Sequence, residues 1–267
     1  SDGYVNANGL RLHYYRTGNG DKPVLVLCHG FSDNGMCWQP VAQELEADYD
    51  IILPDARGHG LSQRVKPGEK LDLKQDLLGL IEALGLDRPI IGGHSMGGST
   101  ASSFEASYPG IARALILEDP GWRDLPPGKP EGEKPPAADP WIEWLASLPG
   151  KTIEEVLQKG RADNPTWAEV EMRPWAESKK ALDLNIFRAE STPLNWREVV
   201  TKIHAPTLLL TADVESGGMV SAEMASFAMQ SSPAIRRVHI GGAGHNIRRE
   251  NYTAYIEAVR KFLAELD

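Results

Sequence analysis

The chain has 267 residues, 41% of them hydrophobic and 24% charged, a make-up that excludes fibrous, disordered and membrane-spanning architectures. With 28 basic against 37 acidic residues the net charge is −9, so a nucleic-acid backbone or an anionic leaflet is repelled at long range and neither is an expected partner. The length fits one large α/β domain with room for an inserted subdomain.

In chain order, Leu10–Tyr15 alternates as a half-exposed strand does, whereas Val24–Cys28 and Ile51–Leu53 are continuous apolar runs suited to a sheet covered on both faces. Leu71, Leu73, Leu77, Leu78, Ile81 and Leu84 lay one apolar stripe along a helix, and short buried strands end at Ile91 and Leu117. This βαβα rhythm predicts a mostly parallel, doubly wound sheet. It breaks at Pro120. Leu125–Pro140 carries six prolines and reads as an exposed linker. Helical spacing follows over Pro140–Leu148, Thr152–Gln158 and Pro165–Leu182. Buried strands resume at Pro206–Leu210 and Ala234–Ile240, and a closing amphipathic helix runs from Tyr252 to Leu263. The expected division is a core of residues 1–120 and 204–267 interrupted by a helical cap at 121–203.

The two cysteines, Cys28 and Cys37, are too few for a disulfide framework and have no zinc-like spacing, so free thiols and no metal are expected. The opening SDGYVNANG lacks the basic start and apolar run of a signal peptide, and no stretch nears the roughly 18 apolar residues of a membrane span. A cytoplasmic monomer or homodimer is the expectation.

The strongest chemical signal is Gly92-Gly93-His94-Ser95-Met96-Gly97-Gly98, a G-x-S-x-G directly after a strand and before a small-residue helix. A serine nucleophile needs this layout, because glycines on both sides let the backbone make the strained turn that exposes Oγ. The Met96 N–H is then one oxyanion donor. His29-Gly30-Phe31, after the VLVLC strand, supplies the second through the Phe31 N–H. Asp55-Ala56-Arg57-Gly58-His59-Gly60 reads as structural, with His59 holding backbone groups. His245, on the glycine-rich turn Gly241–Gly244 after the last strand, is the expected general base.

Taken together, these motifs resemble the α/β-hydrolase superfamily over the whole chain outside the insertion, and most closely its bacterial esterases and acyl-homoserine-lactone-type lactonases. The resemblance implies an eight-stranded, mostly parallel sheet, a helical cap between strands six and seven, and a triad in the order serine, acid, histidine. The acid is expected at Asp213, nearest the rigid end of its strand. Glu215 is the alternative, and Asp119 or Glu118 at the preceding strand end are further positions. A serine at 95 argues against epoxide hydrolases and haloalkane dehalogenases, which need a carboxylate nucleophile, and no Walker or dinucleotide motif offers a cofactor seat.

Six of the seven tryptophans lie in or beside the insertion. Trp122, Trp144 and Trp167 are the candidates to touch substrate as an apolar wall. Arg248 and Arg249 read as a solvated helix start or a structural ion pair, with a substrate carboxylate as their other possible partner. The expected activity is hydrolysis of neutral, partly apolar esters or lactones through an acyl-enzyme, without a cofactor. The alternatives are an acyl-homoserine lactonase, a carbon–carbon hydrolase or lyase using the same residues, and a non-enzymatic ligand receptor.

Overall fold

The computed structural model describes residues 1–124 and 140–266; the proline-rich stretch read as a linker at 125–139 lies outside them. Eight strands form one sheet: β1 (Asp2–Ala7), β2 (Leu10–Arg16), β3 (Val24–Cys28), β4 (Asp50–Pro54), β5 (Ile90–His94), β6 (Ala114–Glu118), β7 (Thr207–Thr211) and β8 (Ile235–His239). Their spatial order is β1-β2-β4-β3-β5-β6-β7-β8. β1 pairs antiparallel with β2 and β2 with β4, and the other pairings of this sheet are parallel. The α/β fold expected from the strand–helix rhythm is the one that forms.

Apolar runs are needed because side chains alternate between two buried faces. Val26, Ile91, Leu115, Leu117 and Leu209 point to one face, where α2 (Leu73–Ala83), α3 (Met96–Ser107) and α8 (Ala222–Ser231) cover them. Leu25, Leu27, Ile90, Ile116, Leu208 and Leu210 point to the other, under α1 (Gln39–Leu45) and the closing helix α10 (Tyr252–Ala264). Cys28 and Cys37 are buried free thiols, and burial pushes the Cys28 thiol up to about 12. No helix among the described residues is long and apolar enough to cross a membrane.

Between β6 and β7 lie α4 (Pro140–Ser147), α5 (Ile153–Asp163), α6 (Glu169–Ala181) and α7 (Trp196–Val200); the short α9 (Ile247–Glu250) follows β8. α5 starts at a capping box in which Thr152 and Glu155 satisfy each other's backbone N–H groups. Pro165 does not open α6, because Trp167 closes a turn onto Asn164 and regular helix begins only at Glu169. α4 to α6 share their own apolar cluster, with Leu145, Val156, Met172 and Trp175 inside it. The ends of the inserted segment behave differently. Trp122 and Trp196 stack at 5.4 Å, and both pack into the sheet's core with Val200 and Ile203. By packing, then, those positions belong to the core and not to the cap.

His59, in the loop after β4, is held by the Arg57 carbonyl at 3.1 Å from Nδ1. Burial, reinforced by nearby His29, pushes it down to about 3, so it stays neutral when folded and gains a proton on unfolding below about pH 6.5. Its contribution is therefore intact above that pH and lost as the pH falls. With His59→Asn this dependence should vanish, so that the wild type loses about 1.4 kcal/mol more than the variant per pH unit. Urea unfolding between about pH 6.5 and 4.5 reads the difference; parallel curves for the two proteins would contradict it.

Candidate active site

Ser95 sits between β5 and α3 with φ 51° and ψ −113°, a conformation L-residues avoid, which turns its side chain out of the sheet edge. The turn closes so tightly that a Cβ on Gly93 would overlap the backbone of Gly97. The Ser95 N–H bonds to Glu118 O at 3.0 Å, fixing the turn to the end of β6. Because His94 pairs in register with Glu118, the next residue of each strand, Ser95 and Asp119, emerge side by side.

The carboxylate that holds His245 is Asp119. Its Oδ2 lies 2.7 Å from His245 Nδ1, and it is fully buried, whereas the His245 side chain is 27% exposed. Asp119 also accepts the N–H groups of Met219 at 2.8 Å and Val220 at 3.0 Å. The expectation of Asp213 is therefore corrected. Asp213 Oδ1 meets His239 Nε2 at 2.9 Å and Oδ2 accepts the Gly242 N–H at 2.7 Å, so it pins the turn that leads to His245 and does not touch its ring. Its ionised form is favoured by the Gly242 N–H and by His239. Glu215 is exposed on a single helical turn after Asp213. Glu118 faces the opposite way and takes the Arg248 guanidinium at 3.0 Å. Gly217, at φ 99°, reverses the chain after Asp213 and returns the Met219 and Val220 N–H groups to Asp119.

The ring of His94 packs 4.6 Å from that of His245, and its Nε2 donates to the His245 carbonyl at 2.9 Å. Burial, then Arg248 and His245, keep His94 well below the usual histidine range, so it is a neutral donor. Among the described residues no hydrogen bond joins Ser95 Oγ to His245, but both line one cavity of about 520 Å³.

The Phe31 loop lies beside Ser95, where a Cβ on Gly30 would stand 2.7 Å from His94 Nδ1 and 3.5 Å from Ser95 Cβ. Neither the Phe31 nor the Met96 N–H has a backbone acceptor among the described residues. The loop is strained at Ser32, φ 64°, and closes with Asp33 N–H on Gly30 O at 3.1 Å. Lys179 of α6 braces it, donating to Ser32 O at 3.1 Å and pairing with Asp33. Arg249 spans Asp33 at 3.0 Å and Glu171 at 3.1 Å. Arg248 and Arg249 are both buried, so the reading of a structural ion pair holds and that of a solvated helix start does not. Burial opposes ionisation of Asp33, yet Arg249, Lys179 and Arg248 outweigh it and hold the carboxyl well below the usual range.

Of the tryptophans expected to meet substrate, only Trp167 lines the cavity; Trp141 and Trp175 line it as well. Trp144 stacks between Trp141 and Trp175 in the cap, and Trp122 donates to Ser102 Oγ at 3.3 Å in the core. Composition placed the aromatics in the insertion but could not say which way each ring faces. Among the described residues no cluster of His, Cys, Asp and Glu is arranged to hold a metal ion.

A strained serine at a strand-to-helix turn, a histidine from the last strand's loop and an intervening buried carboxylate define a hydrolase-type site. Residues 23–251 match the α/β-hydrolase-fold family, and the chain belongs to it. It is 29% identical to N-formylmaleamate deformylase of Pseudomonas putida over 270 residues, covering 98% of this chain and 96% of that one. The solved N-formylmaleamic acid deformylase of Pseudomonas putida S16 superimposes with a TM-score of 0.78 at 24% identity, over 97% of this chain and all of that one. An enol-lactonase from Burkholderia xenovorans LB400 does so with a TM-score of 0.68 at 20% identity, over 98% of this chain and 100% of that one.

Arg249 and Arg248 each have a second carboxylate, but among the described residues the ammonium of Lys179 has only Asp33. Asp33→Asn should therefore strand a buried cation and cost about 3–5 kcal/mol. Adding Lys179→Met should recover much of that loss. Chemical denaturation of the single and double variants measures both, and additive losses would contradict the pairing.

Proposed function

We propose that this enzyme hydrolyses an acyl compound through a covalent intermediate on Ser95. Ser95 Oγ attacks the carbonyl carbon while its proton passes to His245 Nε2, and the Phe31 and Met96 N–H groups receive the developing oxyanion. His245 then gives the proton to the leaving group as its bond to carbon breaks. Water repeats the attack, releasing the acid and restoring Ser95. Asp119 holds Nδ1 and stabilises the imidazolium of each half-reaction. The observation that carries this reading is the 2.7 Å Asp119–His245 contact beside a serine in a strained nucleophile turn.

The bond cleaved is an ester, a lactone or an N-acyl bond. The ester follows from the serine, histidine and oxyanion-loop motifs, and the lactone from the resemblance those motifs carry. The third is supported by the likeness, along nearly the whole chain, to a protein named as a deformylase. A purely receptor role would leave the serine, histidine and carboxylate without a task.

Ser95→Ala should lower kcat by about 10⁶ and abolish labelling by a fluorophosphonate. Asp119→Asn should cost about 10⁴ in kcat, far more than Asp213→Asn. Hydrolysis of para-nitrophenyl esters measures all three. A folded Ser95→Ala protein with wild-type turnover would overturn the proposal, and so would a larger loss at Asp213 than at Asp119 reassign the acid.

A further inference from the structure

Among the described residues, the charged side chains that line the cavity divide into those already neutralised and one that is not. Asp33, Lys179 and Arg249 neutralise one another with Glu171, and Asp163 pairs with Lys159 at 2.8 Å. Arg123 also lines this cavity, is exposed, and has no carboxylate partner among the described residues. It stands four residues beyond Asp119 on the segment that leaves β6, so the strand that supplies the carboxylate for His245 also supplies this guanidinium. Trp141, Trp167 and Trp175 give the same cavity aromatic walls.

We infer that the substrate carries a carboxylate and that Arg123 selects it. A guanidinium presents a planar fork of donors matched to the two oxygens of a carboxylate. The other cations cannot serve, because Lys179 and Arg249 are buried and committed to Asp33. No unpaired anion lines the cavity among the described residues. The net charge of −9 does not decide the matter, since fields from distant surface charges are screened within about 8–10 Å at physiological salt. This replaces the expectation of neutral substrates, which rested on that net charge and on the tryptophan content. It rests on the acyl-enzyme reading above and narrows it.

The test compares kcat/KM for matched anionic and neutral esters in the wild type, Arg123→Gln and Arg123→Lys. One pair, para-nitrophenyl hydrogen adipate against para-nitrophenyl hexanoate, places the charge on the acyl side. The other, para-acetoxybenzoate against para-acetoxybenzamide, places it on the leaving group. The anionic-to-neutral ratio should fall about tenfold or more in Arg123→Gln in at least one pair, showing which side the carboxylate occupies, and fall less in Arg123→Lys, which keeps the charge but loses the fork. A ratio unchanged by Arg123→Gln in both pairs overturns the inference while leaving the acyl-enzyme mechanism standing. If no ester turns over yet a fluorophosphonate labels Ser95, protection by adipate is read instead; it should be present in the wild type and lost in Arg123→Gln, and equal labelling overturns the inference. Absence of both turnover and labelling removes the acyl-enzyme reading itself and this inference with it.

Discussion

The buried carboxylate of Asp119 is the point from which the site is built. It accepts His245 Nδ1 and the N–H groups of Met219 and Val220, joining the end of β6, the loop after β7 and the loop after β8. An ion without solvent survives in such a place only when donors surround it. Asp119 itself is held at φ 37° and Ser95 at φ 51°, two strained residues side by side at the ends of neighbouring strands. Each such residue costs of order 1–3 kcal/mol and persists because the surrounding structure over-determines it. Here the restraint is concrete: Ser95 N–H on Glu118 O, and Asp119 N–H on Leu210 O.

The second organising feature is the buried charge cluster around Asp33. It joins the cap helix α6, through Lys179 and Glu171, to the loop that presents the Phe31 N–H and to the segment just after His245. Helix α6 is thus docked on the Phe31 loop by ionic contacts as well as by apolar packing. Removing one member leaves a charge with no solvent to replace its partner, so this part of the site is specified more by pairing than by shape.

Much of this was legible in the sequence because its causes are local. Continuous apolar runs marked strands buried on two faces, and the glycines of residues 92–98 marked the strained serine turn. What was not legible was long-range. Asp213 and Asp119 each follow a strand and each lie between Ser95 and His245 in the chain, so order alone did not separate them. The deciding fact is register: His94 pairs with Glu118, which puts Asp119 next to Ser95, while β7 lies one strand further out. Trp122 was expected to meet substrate, and its burial beside Trp196 escaped the sequence for a related reason. Position in an insertion does not reveal that its two ends return to the core, where these rings stack on each other. Lys179 and Asp33, far apart in the chain, gave no sign of their contact. Arg123 drew no attention, because an arginine is ordinary in a sequence until a cavity is seen around it.

The Asp119–His245 hydrogen bond is tested most directly by proton magnetic resonance of the imidazole N–H. A low-field resonance from His245 Nδ1–H should be present in the wild type, absent in His245→Ala and Asp119→Asn, and retained in Asp213→Asn. Its survival in Asp119→Asn together with its loss in Asp213→Asn would contradict the account.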